Sequence, residues 1–140
     1  MDAELVALAS AAGSAFVGLM ATDLWEQGKR VVVKLWKRAR PGQAEAVAEE
    51  AESARAELLA ARSAGDGRTE AELAAEWSGR MRRLVAGGAL PVDGLREAAE
   101  ALSRHLGDAE RAVQVRVQAS NHGEGTMNVL GQGTQINLGR

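Results

Sequence analysis

The chain has 140 residues, 26% of them charged, with a formal net charge of −2 and no cysteine. That length gives one modest domain and a tail. The near balance of charge excludes a global attraction for nucleic acid, and the absence of thiols excludes disulfides, thiolate metal sites and a cysteine nucleophile.

Alanine is abundant, tyrosine is absent and Phe16 is the only phenylalanine, a composition that favours close-packed helices over a β core. The first charges are Asp2 and Glu4, where a secretory signal would carry a basic segment, so the expected location is cytoplasmic.

Residues 5–22 form an uncharged run of 18 residues, at the lower edge of what spans a bilayer. Much of it is Ala, Gly and Ser, and its hydrophobicity lies in Leu5, Val6, Leu8, Phe16, Val17, Leu19 and Met20. These are the candidate membrane-inserting residues. The same pattern suits the buried central helix of a bundle, because small residues allow close backbone approach in either setting.

The sign then changes. Lys29, Arg30, Lys34, Lys37, Arg38 and Arg40 place six basic residues in twelve with no acid among them, accompanied by Trp25 and Trp36. Basic residues interleaved with tryptophan and with Val31, Val32, Val33 and Leu35 suit an anionic membrane surface. The competing arrangement pairs this face with Glu45, Glu49, Glu50, Glu52 and Glu57 of the segment that follows.

Pro41-Gly42 breaks the chain, and the spacing predicts a second helix over 43–62 with Ala44, Val47, Ala48, Ala51, Leu58 and Leu59 inward. A turn over 63–67 leads to a third helix, with Thr69 and Glu72 as a capping box and Leu73, Trp77, Met81, Leu84 and Val85 as its stripe. Gly87-Gly88 ends it. Asp93 caps a fourth helix carrying Leu95, Ala98, Ala99, Leu102 and Leu106, closed by Gly107. The expected fold is all-α: an up-and-down four-helix bundle over 1–109, its apolar N-terminal helix largely buried and wrapped by the other three.

Residues 110–140 read as a β-prone tail, with a disordered Gly-rich terminus as the competing expectation. Residues 114–118, Gln-Val-Arg-Val-Gln, alternate as a strand does. Beyond them an eight-residue unit repeats: Gly-Glu-Gly-Thr-Met-Asn-Val-Leu over 123–130, then Gly-Gln-Gly-Thr-Gln-Ile-Asn-Leu over 131–138, then Gly139. Stacked copies would pair their backbones and ladder their Asn and Gln side chains. Val129, Leu130, Ile136 and Leu138 would fill a dry interior. Glu124 opposes in-register stacking of the first unit, since like charges would superpose.

Catalytic machinery is not evident. The only histidines are His105, placed near the end of the fourth helix, and His122 in the tail, and neither sits in a metal-ligand or nucleophile–base spacing. The expectation is a protein that is not an enzyme and uses no metal or cofactor.

An apolar first helix in a small bundle, joined to a short Asn/Gln/Gly motif, resembles the bacterial Bell-domain proteins. That family is similar to the fungal HeLo-like cell-death domains and to the four-helix bundle of the mixed-lineage kinase-like executioner of necroptosis. The tail resembles the bacterial amyloid signalling motifs at Asn128, Val129, Gly131, Gln132, Gly133, Thr134, Gln135, Ile136, Asn137, Leu138 and Gly139. The resemblance implies an antiphage cell-death effector. Its partner would be a nucleotide-binding oligomerising receptor with a matching motif, which templates self-assembly of the tail. The clustered bundles would then release the first helix into the inner membrane, with Trp25, Lys29, Arg30, Lys34, Trp36, Lys37 and Arg38 at the surface of its anionic lipids. The rival expectation is a helical adaptor whose bundle stays folded while its tail adds a strand to a partner.

Overall fold

The structure, a computed structural model, describes residues 2–124. The described residues are all-helical, and no strand occurs among them. There are five α-helices where the sequence spacing predicts four: α1 (Ala3–Leu19), α2 (Trp25–Ala39), α3 (Ala44–Ser63), α4 (Arg68–Ala86) and α5 (Val92–Glu124). The extra element is α2, because the basic segment is a separate helix. A single 3-10 turn, Pro41–Gln43, joins it to α3. The chain divides into two units, Met1–Gly107 and Asp108–Arg140.

The first unit is built around α1. Asp2 caps this helix, accepting the Glu4 amide at 3.0 Å. Its end is set by Thr22, whose hydroxyl donates to the Leu19 carbonyl at 2.8 Å and accepts the Leu24 amide at 3.2 Å. Helix α1 is therefore 17 residues long, and the uncharged run continues past it into the turn before α2. Its burial changes along its length. Up to Ser14 one face is buried, through Leu5, Ala9, Ala12 and Gly13, while Val6, Ser10 and Ser14 face solvent; beyond it Ala15, Phe16, Val17, Leu19 and Met20 are all buried. Helices α1 and α4 lie close together, since Gly13 offers no side chain to hold them apart.

Helix α3 buries Ala44, Val47, Ala51, Ala54, Leu58 and Ala61. Leu59, expected inward, is 38% exposed, because one residue advances the helix by roughly 100° away from Leu58. Gly65 and Gly88 take left-handed φ values of 74° and 83° after α3 and α4, the helix-ending geometry that glycine accepts without strain. The start of α4 differs from the expected capping box. Asp66 takes the capping role, accepting the Arg68 amide at 2.9 Å and the Thr69 hydroxyl at 3.0 Å. A carboxylate one turn upstream is a better acceptor than the Thr69 hydroxyl, which donates to it instead.

Two further expectations are corrected at α5. Asp93 lies inside its first turn and pairs with Arg96, so it is not the cap. The helix does not close at Gly107 but continues to Glu124, which places His105 mid-helix and residues 114–118 in a helix and not a strand. The physical reason lies in residues 108–112, Asp-Ala-Glu-Arg-Ala. This is a helix-favouring stretch without proline, and a single Gly in its path weakens a helix by only about 1 kcal/mol. Residues 125–140, with the tandem repeat except its first two residues, Gly123 and Glu124, and with the positions Asn128, Val129 and Gly131 to Gly139, lie outside the described residues.

Candidate functional site

The predicted membrane-inserting residues divide by position. Leu5, Phe16, Val17, Leu19 and Met20 are buried, Leu8 is half-buried and Val6 is exposed. Helix α1 is thus a core helix in this state. No helix among the described residues is long and apolar enough to cross a membrane.

The predicted surface tryptophans are also core residues. Every aromatic side chain of the protein belongs to one continuous cluster. Phe16 of α1 lies 5.4 Å from Trp25 and 5.0 Å from Trp77 between ring centroids, and Trp77 in turn meets Trp36 edge-on at 6.1 Å. Edge-to-face and tilted contacts at this range are the favourable aromatic geometry. Helix α2 thus turns Trp25, Val32, Leu35 and Trp36 inward.

The opposite face of α2 is basic and open. Arg30, Lys34, Lys37 and Arg38 are exposed. Arg38 stands 3.8 Å from Glu97. Arg30, Lys34, Lys37 and Arg40 make no ion pair among the described residues. Pairing with the following acidic helix is confined to Lys29, whose ammonium is 2.7 Å from Glu52. Beside the basic face, Val31, Leu35, Ala98 and Ala101 floor a groove of about 240 Å³ between α2 and α5, rimmed by Lys34, Arg38 and Glu97.

A latch holds the α1–α2 turn. Glu52 of α3 accepts the Trp25 indole N–H at 3.1 Å as well as the Lys29 ammonium. The bond from Lys29, with those of Trp25 and the nearby Arg55 charge, holds the Glu52 carboxyl below the usual carboxylate range against the opposing effect of burial. Three residues on, Arg55 Nε donates to the Met20 carbonyl at 2.8 Å, and its guanidinium lies 5.9 Å from the Trp25 ring centroid. Arg55 thereby satisfies a carbonyl orphaned at the end of α1. At the other end of α1, Glu4 pairs with Arg96 of α5, which also holds Asp93. The Glu4 contact raises the Arg96 guanidinium above its already high range.

Sequence reasoning does not find Glu52 and Arg55 as a latch, because charges on the polar side of an alanine-rich helix do not declare their partners. The spacing of Trp25, Lys29 and Arg55 relative to α1 becomes readable only once α3 is laid against the turn.

Among the described residues no group of acidic or histidine side chains could hold a metal ion. No family model matches the chain, and no curated protein or solved structure is significantly similar to it.

Proposed function

We propose that this protein is a membrane-permeabilising effector whose helical part is switched by self-assembly of its C-terminal tail. The observation that carries the reading is the tandem eight-residue repeat, two Gly-x-Gly-Thr units that each close on Leu and carry Asn, Gln and aliphatic residues between, followed by Gly139. Segments of this kind bury nothing alone and everything when stacked. The resemblance to the Bell-domain proteins gives the rest of the proposal: a four-helix-bundle-like unit, a receptor with a matching motif as the template, and death of the infected cell as the output.

The arrangement of α1 and α2 supports a two-state mechanism. At rest the apolar residues Leu5, Phe16, Val17, Leu19 and Met20 of the α1 region are covered by neighbouring helices while α2 keeps its basic face free. Crowding many copies onto a membrane would let that face gain roughly 1 kcal/mol per Lys or Arg near anionic lipid. Releasing α1 exposes Leu5, Phe16, Val17, Leu19 and Met20, on the order of 10 kcal/mol of burial at about 2 kcal/mol per side chain. A bilayer interior would restore most of that apolar environment. Assembly then has to supply only the remainder.

A peptide of residues 113–140 tests the first step. Fibrils that seed their own growth and diffract at about 4.7–4.8 Å are expected, and a peptide that stays monomeric at high concentration refutes the proposal. The second step is tested with the full chain and a variant lacking residues 1–8. Seeded full-length protein should empty anionic liposomes, and the deletion should abolish leakage while leaving assembly intact.

The aromatic cluster favours a second reading. Phe16 is tied to both Trp25 and Trp77, which suits an adaptor whose helices never separate. Tail assembly without any liposome leakage is the outcome that selects it.

A further inference from the structure

Where α2 ends, the 3-10 turn and the start of α3 meet the last turns of α4 around a cleft of about 400 Å³. Arg40, Arg80 and Arg83 line it together with Gln43 and one acid, Glu50. Trp36, Val47 and Leu84 supply apolar wall. None of these residues belongs to the tail, so the cleft and its chemistry are independent of tail assembly.

The three arginines are not equivalent. Arg80 is committed: it pairs with Glu50 and, at 3.4 Å, with Glu76, and its guanidinium lies 4.7 Å from the Trp77 ring centroid. The side chains of Arg40 and Arg83 make no hydrogen bond or ion pair among the described residues. Arg40 is nonetheless positioned. Its Nη2 lies 3.5 Å from where a Cβ of Gly87 would stand, at the end of α4, where the helix dipole favours a cation. The Gln43 side-chain amide likewise makes no hydrogen bond among the described residues, including none that caps α3. With Glu50 offset by Arg80, the cleft presents two unneutralised guanidinium groups and a neutral amide donor over an apolar wall.

A guanidinium fork meets two oxygens of a phosphate or a carboxylate at once, and two forks facing one cleft suit the double charge and three terminal oxygens of a phosphate monoester. We propose that this cleft binds a dianionic phosphate monoester, its phosphate between Arg40 and Arg83 and its organic part against Trp36 and Leu84. The same chemistry is offered by a soluble phosphate monoester and by the headgroup of phosphatidic acid.

Binding is read on the full chain before any assembly, by titration calorimetry with glycerol 3-phosphate and by co-sedimentation with phosphatidylcholine vesicles with and without phosphatidic acid. The paired variant Arg40→Gln/Arg83→Gln is compared with Arg104→Gln/Arg68→Gln, which removes the same charge from exposed positions outside the cleft. The expected result is saturable binding in at least one arm, weakened about tenfold or more by the cleft pair, as losing a charge-assisted contact implies, and little changed by the control pair. Saturation with glycerol 3-phosphate assigns a soluble ligand, and saturation confined to phosphatidic acid vesicles assigns a lipid. Arg40→Lys/Arg83→Lys, which keeps the charge but not the fork, should recover binding only in part. No saturable binding in either arm, or equal loss in the cleft and control pairs, overturns the proposal. Neither result bears on whether the tail forms fibrils.

Discussion

Ser78 stands where a side chain at Gly13 would have to go. A Cβ on Gly13 would lie 2.1 Å from the Ser78 hydroxyl oxygen, 2.7 Å from the Ser78 amide nitrogen and 2.9 Å from the Ala74 carbonyl oxygen. The hydroxyl cannot simply swing away without losing its 2.7 Å bond to that carbonyl, and the other two atoms are backbone. Two effects therefore compete in Gly13→Ala. Alanine favours the helix by up to about 1 kcal/mol, and overpacking a tight contact costs about 1–3 kcal/mol. The clash with backbone decides the sign. Gly13→Ala should lower the thermal midpoint, and Gly13→Val should lower it further, as read by circular dichroism at 222 nm. An unchanged or raised midpoint for Gly13→Ala would show that α1 and α4 are not this close.

The latch at Glu52 makes a pH prediction. Its carboxyl titrates lower in the folded chain than in the unfolded one, so the folded state binds fewer protons there. The stability this contributes is complete above the ordinary carboxylate value of about 4.3 and is lost as pH falls through it and below. Glu52 is partly exposed, with 44% of its side chain open to solvent, so the effect is at the scale of a surface pair, below about 1 kcal/mol. Glu52→Gln should be slightly less stable than the parent at neutral pH, and the two should converge near pH 3. A difference that persists in acid would place the effect elsewhere than in the charge.

Removing Arg55 should do more than removing Glu52. Arg55→Met keeps most of the aliphatic stem but leaves the Met20 carbonyl without its donor. A bond from a charged donor to such a group is worth about 1.5–3 kcal/mol. In the proposed function this substitution also loosens the end of α1. Liposome leakage by seeded protein should then begin at a lower seed dose, while the midpoint of unfolding falls. A stable variant with unaltered leakage would separate the latch from the switch.

Much of this unit is legible in the sequence, and the exceptions have physical causes. The stripes Leu73, Trp77, Met81, Leu84 and Leu95, Ala98, Ala99, Leu102 are inward as their spacing implies, because one wide apolar face leaves a helix no other way to turn. The burial of Trp25 and Trp36 is not legible in the sequence, because tryptophan beside lysine and arginine looks the same on a core helix with a solvated basic face as on a membrane-surface helix. Only the position of Phe16 and Trp77 distinguishes them. The end of α5 misleads for a different reason. Residues 114–118 alternate at the period of a strand, but local alternation does not outweigh a helix already propagating from Val92.

Trp77 joins the two halves of the aromatic cluster, and its indole Nε1 is buried without a hydrogen-bond partner among the described residues. Trp77→Ala removes the shared ring and should cost about 3–5 kcal/mol, a large share of a small domain's stability. Trp77→Phe should be far milder. It keeps a ring against Phe16 and Trp36 and takes away a donor that satisfies nothing. Urea unfolding of both variants checks the order. A Phe variant as unstable as the Ala variant would mean that the indole N–H has an acceptor after all.

Val113, Val115 and Val117 are 51%, 63% and 54% exposed on the second part of α5. On a helix Val113 and Val117, four residues apart, share a face, and Val115 points to the opposite side. In a strand, alternate residues share one face, so the same three side chains would form an apolar stripe leading into the repeat. β-Branched residues weaken a helix relative to alanine by up to about 0.7 kcal/mol each, so the helical form of this stretch is held weakly. Changing all three valines to alanine should therefore act in opposite directions on the two forms. Helix content of a 113–140 peptide should rise, and the lag before fibril growth should lengthen. The unfolding free energy of the full chain's first unit should stay within about 0.5 kcal/mol of the parent, as for surface positions generally. A peptide that gains helix yet forms fibrils as fast as the parent would show that assembly begins in the repeat alone and never recruits the end of α5.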